Sequence, residues 1–330
     1  MNIGLIDVDS HNFPNLALMK ISAYHKARGD NVEWCMPLTH YDAVYVSKVF
    51  GDEYSEMDTT VIQADTIIYG GTGFAIKVVD GKEVFEKTND PELHTEIEHM
   101  YPDYSLYPDL TENTAYGFLT RGCPNNCAFC IVSKKEGLVS HKVADLSEFW
   151  DGQKNIKLLD PNILACKEHL DLLQQLADSK ACVDFTQGLD ARFITEENLK
   201  LLKQIKIKMI HFAFDFMKNE KRIIKGLSLA KEHLKINDRN SIVYMLTNYD
   251  TTIKEDLYRI RALKEIGYTP DVRIYRKTAL PKRHILRDLQ RWCNNRFIYK
   301  SCNFFDYAPR KDGLTIREIY ADILKDCEVV

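Results

Sequence analysis

Residues 116–130 read Tyr-Gly-Phe-Leu-Thr-Arg-Gly-Cys-Pro-Asn-Asn-Cys-Ala-Phe-Cys, so a short apolar strand is followed at once by three cysteines. These cysteines, which lie within eight residues, are Cys123, Cys127 and Cys130. Three thiolates this close in sequence can surround one metal centre, and a 4Fe-4S cluster held by three of them keeps one iron open to a small molecule. A structural zinc site is the second candidate, but it needs a fourth ligand and only His141 is near.

Apolar segments and helical patterns alternate on the carboxyl side of residue 115. The apolar segments predict six strands, at 116–119, 156–159, 181–185, 209–214, 242–246 and 272–275. Helical patterns lie between them, among them 168–177, 196–205 and 254–266. Six strand–helix units fit a curved parallel sheet or partial barrel, in which the functional residues lie just after each strand.

The first 75 residues carry a separate alternation of the same kind. Strands are predicted at 3–8, 32–35, 43–46 and 66–69, and a helix that begins near Leu16 ends at Gly29. This spacing predicts a doubly wound parallel sheet. Between 76 and 115 the periodicity is lost, and Asp80-Gly81 predicts a hairpin turn. The chain is thus predicted to be an α/β protein with a doubly wound domain at 1–75, a linker at 76–115, a partial barrel at 116–275 and a basic helical extension at 276–330.

The composition is that of an ordinary globular protein, since 45% of the 330 residues are hydrophobic and 28% are charged. No apolar run approaches the ~20 residues that a membrane-spanning helix needs. The N-terminus lacks the basic region of a signal peptide, and nine cysteines without an export signal favour reduced thiols or metal ligands over disulfides. We therefore expect a cytoplasmic protein with no membrane partner.

The net charge of -4 conceals a basic segment at residues 271–300. This segment holds nine Lys or Arg and two Asp, a net charge of +7 that leaves -11 for the rest. Clustered basic charge can attract an anionic substrate or nucleic acid, although a solvated helix face over 282–296 explains it equally well. One alternative function is therefore a non-catalytic iron-sulfur or zinc protein that binds nucleic acid through residues 273–300.

The C-x3-C-x2-C spacing directly after a strand, with Phe129 before the last cysteine, resembles the radical S-adenosylmethionine (radical SAM) superfamily. The resemblance implies that the three cysteines hold a 4Fe-4S cluster and that SAM binds its open iron. It also implies that electron transfer cleaves SAM into methionine and a 5'-deoxyadenosyl radical, which abstracts hydrogen from an unidentified substrate. An electron donor such as flavodoxin or ferredoxin is implied as a partner.

The resemblance covers the predicted barrel and places SAM contacts after its strands. The residues concerned are Phe129, Asp160, Asn162, Gln187, Arg192, Asp215, Thr247 and Asn248. Phe129 would lie against the adenine, Asp160 and Asn162 would hold the ammonium group, and Gln187 would lie at the pocket rim.

The same resemblance assigns the SAM carboxylate to Arg192 and the ribose to Asp215, with Arg222 as the neutralising partner of that acid. Thr247 and Asn248 would lie near the adenine. The residues themselves leave other interpretations open: Asp160 and Asn162 suit a helix N-cap, and Arg192 suits an ion pair with Glu196 or Glu197.

The first 75 residues resemble, more loosely, the cobalamin-binding domain that precedes the barrel in one branch of the superfamily. His11, Ser47 and Gly70–Gly71 follow the first, third and fourth strands, where such a fold binds ligands, although Pro14 replaces a glycine of the cobalamin motif. The resemblance implies a cobalamin-dependent radical SAM methyltransferase as an alternative. The other interpretation is a domain that only packs against the barrel.

The remaining cysteines offer little support for a second cluster. The methylthiotransferase branch has three N-terminal cysteines, whereas this chain has only Cys35 there. Cys293, Cys302 and Cys327 form no C-x2-C pair, and we interpret them as buried or idle thiols rather than ligands of an auxiliary cluster.

Overall fold

A computed structural model describes residues 1–52, 54–57, 62–79, 82–325 and 327 of the chain. The protein is a mixed α/β structure that divides into two compact units, Met1–Ala181 and Cys182–Val330. Within the described residues, no helix combines the length and the apolar character needed to cross a membrane.

The first unit contains a parallel sheet, two helices of 12 and 11 residues, and otherwise mostly short elements. Its strands are β1 Asn2–Asp7, β2 Asn31–Trp34, β3 Tyr41–Ser47, β4 Ala64–Gly70, β5 Ile76–Val79, β6 Lys82–Phe85, β7 Thr114–Gly117, β8 Thr120–Arg121, β9 His141–Lys142 and β10 Asn155–Leu158. Its α-helices are α1 Leu16–Ala27, α2 Thr72–Ala75, α3 Thr95–Glu98, α4 Pro108–Thr111, α5 Val132–Glu136 and α6 His169–Ser179.

The second unit alternates longer strands and helices. Its strands are β11 Cys182–Phe185, β12 Lys206–Ala213, β13 Ser241–Thr247 and β14 Thr269–Ile274. Its α-helices are α7 Glu196–Leu202, α8 Glu220–His233, α9 Ile253–Ile266, α10 Ile285–Asn294, α11 Arg296–Ser301, α12 Ile316–Ile319 and α13 Ala321–Leu324.

The N-terminal sheet has four parallel strands in the order β2-β1-β3-β4. Alternate residues of its strands are apolar, and Ile3 and Leu5 pack with Leu18 and Ile21 of α1 in one buried cluster. Because the strands are parallel, the loops after β1, β3 and β4 start at the same edge of the sheet. The predicted strands and α1 are therefore confirmed, with boundaries that differ by one or two residues.

Residues 76–115, the predicted linker, contain several short elements. The strands β5 and β6 form the predicted antiparallel hairpin, whereas the turn residues Asp80-Gly81 lie outside the described residues. The helix α3, which follows this hairpin along the chain, is a single turn.

The second sheet is parallel and has six strands in the order β14-β13-β12-β11-β10-β7. All six predicted strands are present. The first of them ends at Gly117 rather than at residue 119, and the ring of Phe149 occupies the space that a Cβ at Gly117 would need. The next two residues that pair in a strand, Thr120 and Arg121, form an antiparallel ladder with β9.

Helix α10 covers the outer edge of β14 in the second unit. Its apolar face, which includes Leu289 and Trp292, packs in one buried cluster with Val272 of the strand. On the same helix, Asn294 Oδ1 accepts from the Val272 N–H (2.8 Å), and Gln290 Nε2 donates to the Val272 carbonyl (2.8 Å). An edge strand whose backbone groups are bonded in this way is protected from pairing with another chain.

Candidate functional site

The three clustered cysteines lie on one loop whose two ends are joined. We call residues 122–137 the cysteine loop. Arg121 donates to Glu136 Oε1 (2.9 Å), and the same carboxylate accepts from the Gly122 N–H (3.1 Å). The Cys123 N–H donates to the Gly137 carbonyl (3.2 Å). These bonds close the base of the loop, so the cysteines project from a fixed frame.

Gly122 is required at this base for two physical reasons. Its φ of 84° lies in the left-handed region, which side chains with a Cβ rarely adopt. A Cβ at this position would also overlap the carbonyl oxygen of Val139, because the chain returns past Gly122 after the loop. The glycine therefore allows the two strands of chain at the base to approach closely.

The three cysteines supply the type of ligand that an iron-sulfur cluster needs, although the structure does not show them as a ready metal site. All three cysteines are partly buried, and the Cys130 N–H donates to the Cys127 carbonyl (2.9 Å), which forms a tight turn around the half-buried Phe129. In the part of the chain that the structure describes, no three Cys, His, Asp or Glu side chains are placed to hold a metal ion. The donor set, three cysteine thiols on one loop, is of the kind that binds iron-sulfur clusters.

His141, the fourth ligand that a zinc site would need, points elsewhere. It is exposed on β9, and its Nδ1 lies 3.1 Å from the Val139 carbonyl. The structure thus adds no support for zinc.

Asp160, just beyond β10, holds the chain that enters the cysteine loop. The side chain is only 4% exposed. Its Oδ1 accepts from the backbone N–H and the hydroxyl of Thr120 (2.7 Å for the hydroxyl), and both carboxylate oxygens lie 3.2 Å from the Leu119 nitrogen. The carboxylate therefore binds the turn between β7 and β8 rather than capping a helix, and its contact with a SAM ammonium group stays a prediction.

Asn162 reaches the loop itself. The residue is 1% exposed, and its Nδ2 lies 3.6 Å from Cys123 Sγ. Although Asn162 precedes the short 3-10 turn Ile163–Ala165, its side chain makes no capping bond to that turn. Its carbonyl accepts from Ser140 Oγ (2.9 Å). Two residues after β10 therefore hold the cysteine loop, one at its entry and one at its first thiol.

Burial raises the pKa of Asp160 to about 6, against the opposing effect of the bonds from Thr120 and Leu119. In the unfolded chain the carboxyl loses its proton near pH 4, so between these values the folded state holds the proton more tightly. We expect the free energy of unfolding of the wild type, relative to Asp160→Asn, to fall by about 2 kcal/mol as the pH rises from 4 to 6, out of about 3 kcal/mol in total between pH 3 and pH 7.

The measurement for this prediction is urea unfolding of both proteins at several pH values. The difference between them should be constant below about pH 3 and above about pH 7. A difference that does not change between pH 4 and pH 6 would contradict the role of a buried Asp160 carboxyl.

In the second unit, Arg192 forms a two-bond ion pair with Asp190. Its Nε donates to Asp190 Oδ1 (2.8 Å) and its terminal nitrogen to Oδ2 (2.7 Å). The partner is therefore two residues away on the same turn rather than Glu196 or Glu197 on α7. Gln187, the first residue singled out after β11, is exposed. The proposed SAM contacts of Gln187 and Arg192 stay predictions.

Asp215 lies after β12 and binds the neighbouring strand. Its Oδ1 accepts from the Leu246 N–H of β13 (2.9 Å). Burial raises the pKa of Asp215, and the Leu246 bond and the charges of Arg259 and Arg192 oppose this rise. Arg222, the expected neutralising partner, is exposed on α8. The positive charge with the largest effect on this pKa is that of Arg259 on α9. The sequence pattern alone does not identify this residue.

Arg259 connects the ends of β12 and β13. It is fully buried, and its guanidinium donates to the carbonyls of Phe214, Asp215 (3.2 Å) and Leu246 (2.8 Å). It also forms an ion pair with Asp256 one turn earlier on the same helix. One side chain thus fixes the backbone on both sides of the Asp215 carboxylate.

The side chains of Thr247 and Asn248 form hydrogen bonds in the same region. The buried Thr247 hydroxyl donates to the Asp256 carboxylate. Asn248 has a φ of 65° and donates through Nδ2 to the Tyr275 carbonyl (2.8 Å). Thr252 and Glu255 form a capping box at the start of α9. These bonds hold the loop after β13, and contact with an adenine stays a prediction.

The N-terminal residues suggested for cobalamin lie at one edge of the first sheet. His11 is exposed with a φ of 49°, whereas the buried Ser47 hydroxyl accepts from Asn15 Nδ2 (2.8 Å). Gly70–Gly71 ends β4, and a Cβ at Gly71 would overlap the Lys48 carbonyl. Ser47 and Gly71 are therefore parts of the internal packing of this edge.

Several charged side chains of the basic segment form hydrogen bonds or ion pairs within the second unit. Arg287 donates to the carbonyls of Lys277 (2.6 Å) and Leu280 (2.9 Å). Arg296 and Lys300 both form ion pairs with Asp238, at 2.7 and 2.6 Å. These charges stabilise the fold locally, which favours the structural interpretation of the segment over a nucleic-acid surface.

The remaining C-terminal cysteines are mostly buried. Burial raises the pKa of Cys293 far above its ordinary value, and its thiol contacts the Pro270 carbonyl. Cys327 is buried and Cys302 is partly buried, with its thiol directed to the Ile298 carbonyl. The buried-thiol interpretation agrees with these positions.

Comparison with known proteins adds no assignment to these observations. No protein-family model matches this chain, and no curated protein matches it. The chemistry of the cysteine loop is therefore the main indication of function.

Proposed function

We propose that this protein is a cytoplasmic radical SAM enzyme in which Cys123, Cys127 and Cys130 hold a 4Fe-4S cluster. The observation that supports the proposal is the cysteine loop, which carries three thiols on a frame closed by Arg121 and Glu136. Once bound, a cluster of this type supplies the single electron that cleaves SAM and starts hydrogen abstraction from a substrate. A flavodoxin or a ferredoxin is the class of electron donor we propose.

The surrounding residues have definite tasks in this proposal. The Arg121–Glu136 ion pair and the Gly122 amide bond hold the ends of the loop together. Asp160 fixes the turn through which the chain enters, and Asn162 places a buried amide against the first thiol. These contacts already restrict the loop before a cluster binds. The three thiols therefore lose less conformational freedom when they bind one cluster.

The alternatives have weaker structural support. Binding of nucleic acid would use the basic charges of residues 273–300, and two of these, Arg296 and Lys300, are paired with Asp238. A cobalamin-dependent reaction would need the edge near Ser47 and Gly71, where both residues contribute to internal packing. We therefore propose neither as a second function.

The test is anaerobic reconstitution of the full chain with iron and sulfide. The wild type is expected to bind about four irons per chain and, after reduction with SAM present, to form 5'-deoxyadenosine. Replacing all three loop cysteines with alanine should abolish both. A matched triple variant removes three other partly buried cysteines, Cys35, Cys182 and Cys302, and should retain both.

Two outcomes would overturn the proposal. One is a folded wild type that binds no iron, or binds zinc in its place. The other is equal loss of iron in the two triple variants, which would show that the thiols of the cysteine loop have no special role.

A further inference from the structure

The amide of Asn162 is directed at the sulfur of Cys123 from a position closed to solvent. The Nδ2–Sγ separation of 3.6 Å is within hydrogen-bonding range because sulfur is larger than oxygen. The Asn162 residue is 1% exposed, so water does not compete for this bond. The amide comes from the segment after β10, about 40 residues beyond the cysteine, and is independent of the cysteine loop in sequence.

A cysteine that binds iron is a thiolate, which accepts hydrogen bonds and donates none. The amide must therefore present its N–H to this sulfur. A hydrogen bond to a charged acceptor is stronger than one between neutral groups, and its strength grows as negative charge accumulates on the acceptor. Adding an electron to an iron-sulfur cluster increases the charge on its sulfur ligands, so such a bond favours the reduced state.

We propose that Asn162 is a positioning residue whose N–H···S bond to Cys123 raises the reduction potential of the cluster. The inference depends on the proposed function, since it requires that Cys123 bind iron. Asn162, a residue outside the cysteine loop, therefore makes it easier for the electron donor to reduce the cluster. The predicted contact of Asn162 with the SAM ammonium group stays a separate prediction.

The test is a mediated redox titration of the reconstituted full chain without SAM, followed by electron paramagnetic resonance of the reduced cluster. Asn162→Leu keeps the approximate size of the side chain and removes the N–H. At a potential where the wild-type cluster is half reduced, the ratio of reduced to oxidised cluster should fall about tenfold, equivalent to about 59 mV for one electron. Asn162→Asp, which places a carboxylate oxygen near the sulfur, should lower the ratio at least as far.

Ser140→Ala is the matched control. The Ser140 hydroxyl bonds to the carbonyl of Asn162, so its removal loosens the same segment and leaves the amide in place. This variant should titrate within about twofold of the wild-type ratio, less than a change of one hydrogen bond to a charged acceptor produces.

Three results separate the possibilities. Asn162 variants that titrate like the wild type overturn the inference and leave the proposed function intact. A Ser140→Ala shift as large as that of Asn162→Leu also overturns it, because displacement of the segment would then explain the effect. A wild type that binds no iron overturns the proposed function and the inference together.

Discussion

Replacing Arg259 with leucine is expected to lower the free energy of unfolding by about 3–5 kcal/mol. The arginine is fully buried, and its partner Asp256 has a side chain that is 1% exposed, so the substitution leaves a buried carboxylate without its counter-charge. The carbonyls of Phe214 and Leu246 lose a charged donor at the same time. Removing one member of a buried ion pair costs more than the pair itself contributes, because the remaining charge stays desolvated.

The control is the same substitution two residues further along α9. Arg261 forms a long ion pair with Glu265 (3.8 Å) in which both side chains are largely exposed, so Arg261→Leu should change stability by at most about 1 kcal/mol. Urea unfolding followed by circular dichroism measures both. Equal effects of the two substitutions would contradict the structural role of Arg259.

A second variant identifies the source of the Arg259 effect. Adding Asp256→Asn to Arg259→Leu removes the stranded charge, and we expect it to recover about 1–2 kcal/mol. If the second substitution recovers no stability, the loss comes from the hydrogen bonds to the carbonyls rather than from the ion pair.

The strands could be predicted from the sequence because each is a short apolar segment between helical patterns. The error at the first strand of the second sheet has a tertiary cause. Leu119 continues the apolar pattern, but its amide bonds to Asp160, which lies 41 residues later, and the chain leaves the sheet at Gly117. Local sequence carries no information about such a partner.

The candidate site shows the same division between local and distant causes. The spacing of the three cysteines is local, and the structure places them on one loop. Asp160 and Asn162 were singled out from the sequence for a ligand, whereas their side chains reach the entry and the first thiol of that loop. Residue type and position after a strand identify a functional edge, but the partner of each side chain depends on the folded chain.

Arg259 was missed for a related reason. An arginine on an amphipathic helix is usually exposed, and the neighbouring Arg261 is. The available signal was Asp256, three residues earlier on the face that also carries Ile260 and Leu263. Two opposite charges on the buried face of a helix indicate an ion pair that the core must accommodate.

Replacing Gly122 with alanine is expected to destabilise the protein without iron by about 2–5 kcal/mol. The left-handed φ accounts for about 1–2 kcal/mol of this loss, and the overlap of the new Cβ with the Val139 carbonyl accounts for the rest. Gly137, at the other end of the cysteine loop, separates these two causes. Its φ is also positive, at 95°, but a Cβ there meets no atom within 4 Å.

Gly137→Ala should therefore cost only the conformational part, about 1–3 kcal/mol, because its φ of 95° and ψ of 171° lie in a region essentially confined to glycine. Urea unfolding of the two iron-free variants measures the difference, and iron content after reconstitution measures its consequence for the site. We expect Gly122→Ala to bind less iron than Gly137→Ala, because overlap at the base forces apart the ends that Glu136 and Arg121 join. Equal stability and equal iron content in the two variants would show that the close approach at Gly122 does not hold the cysteine loop closed.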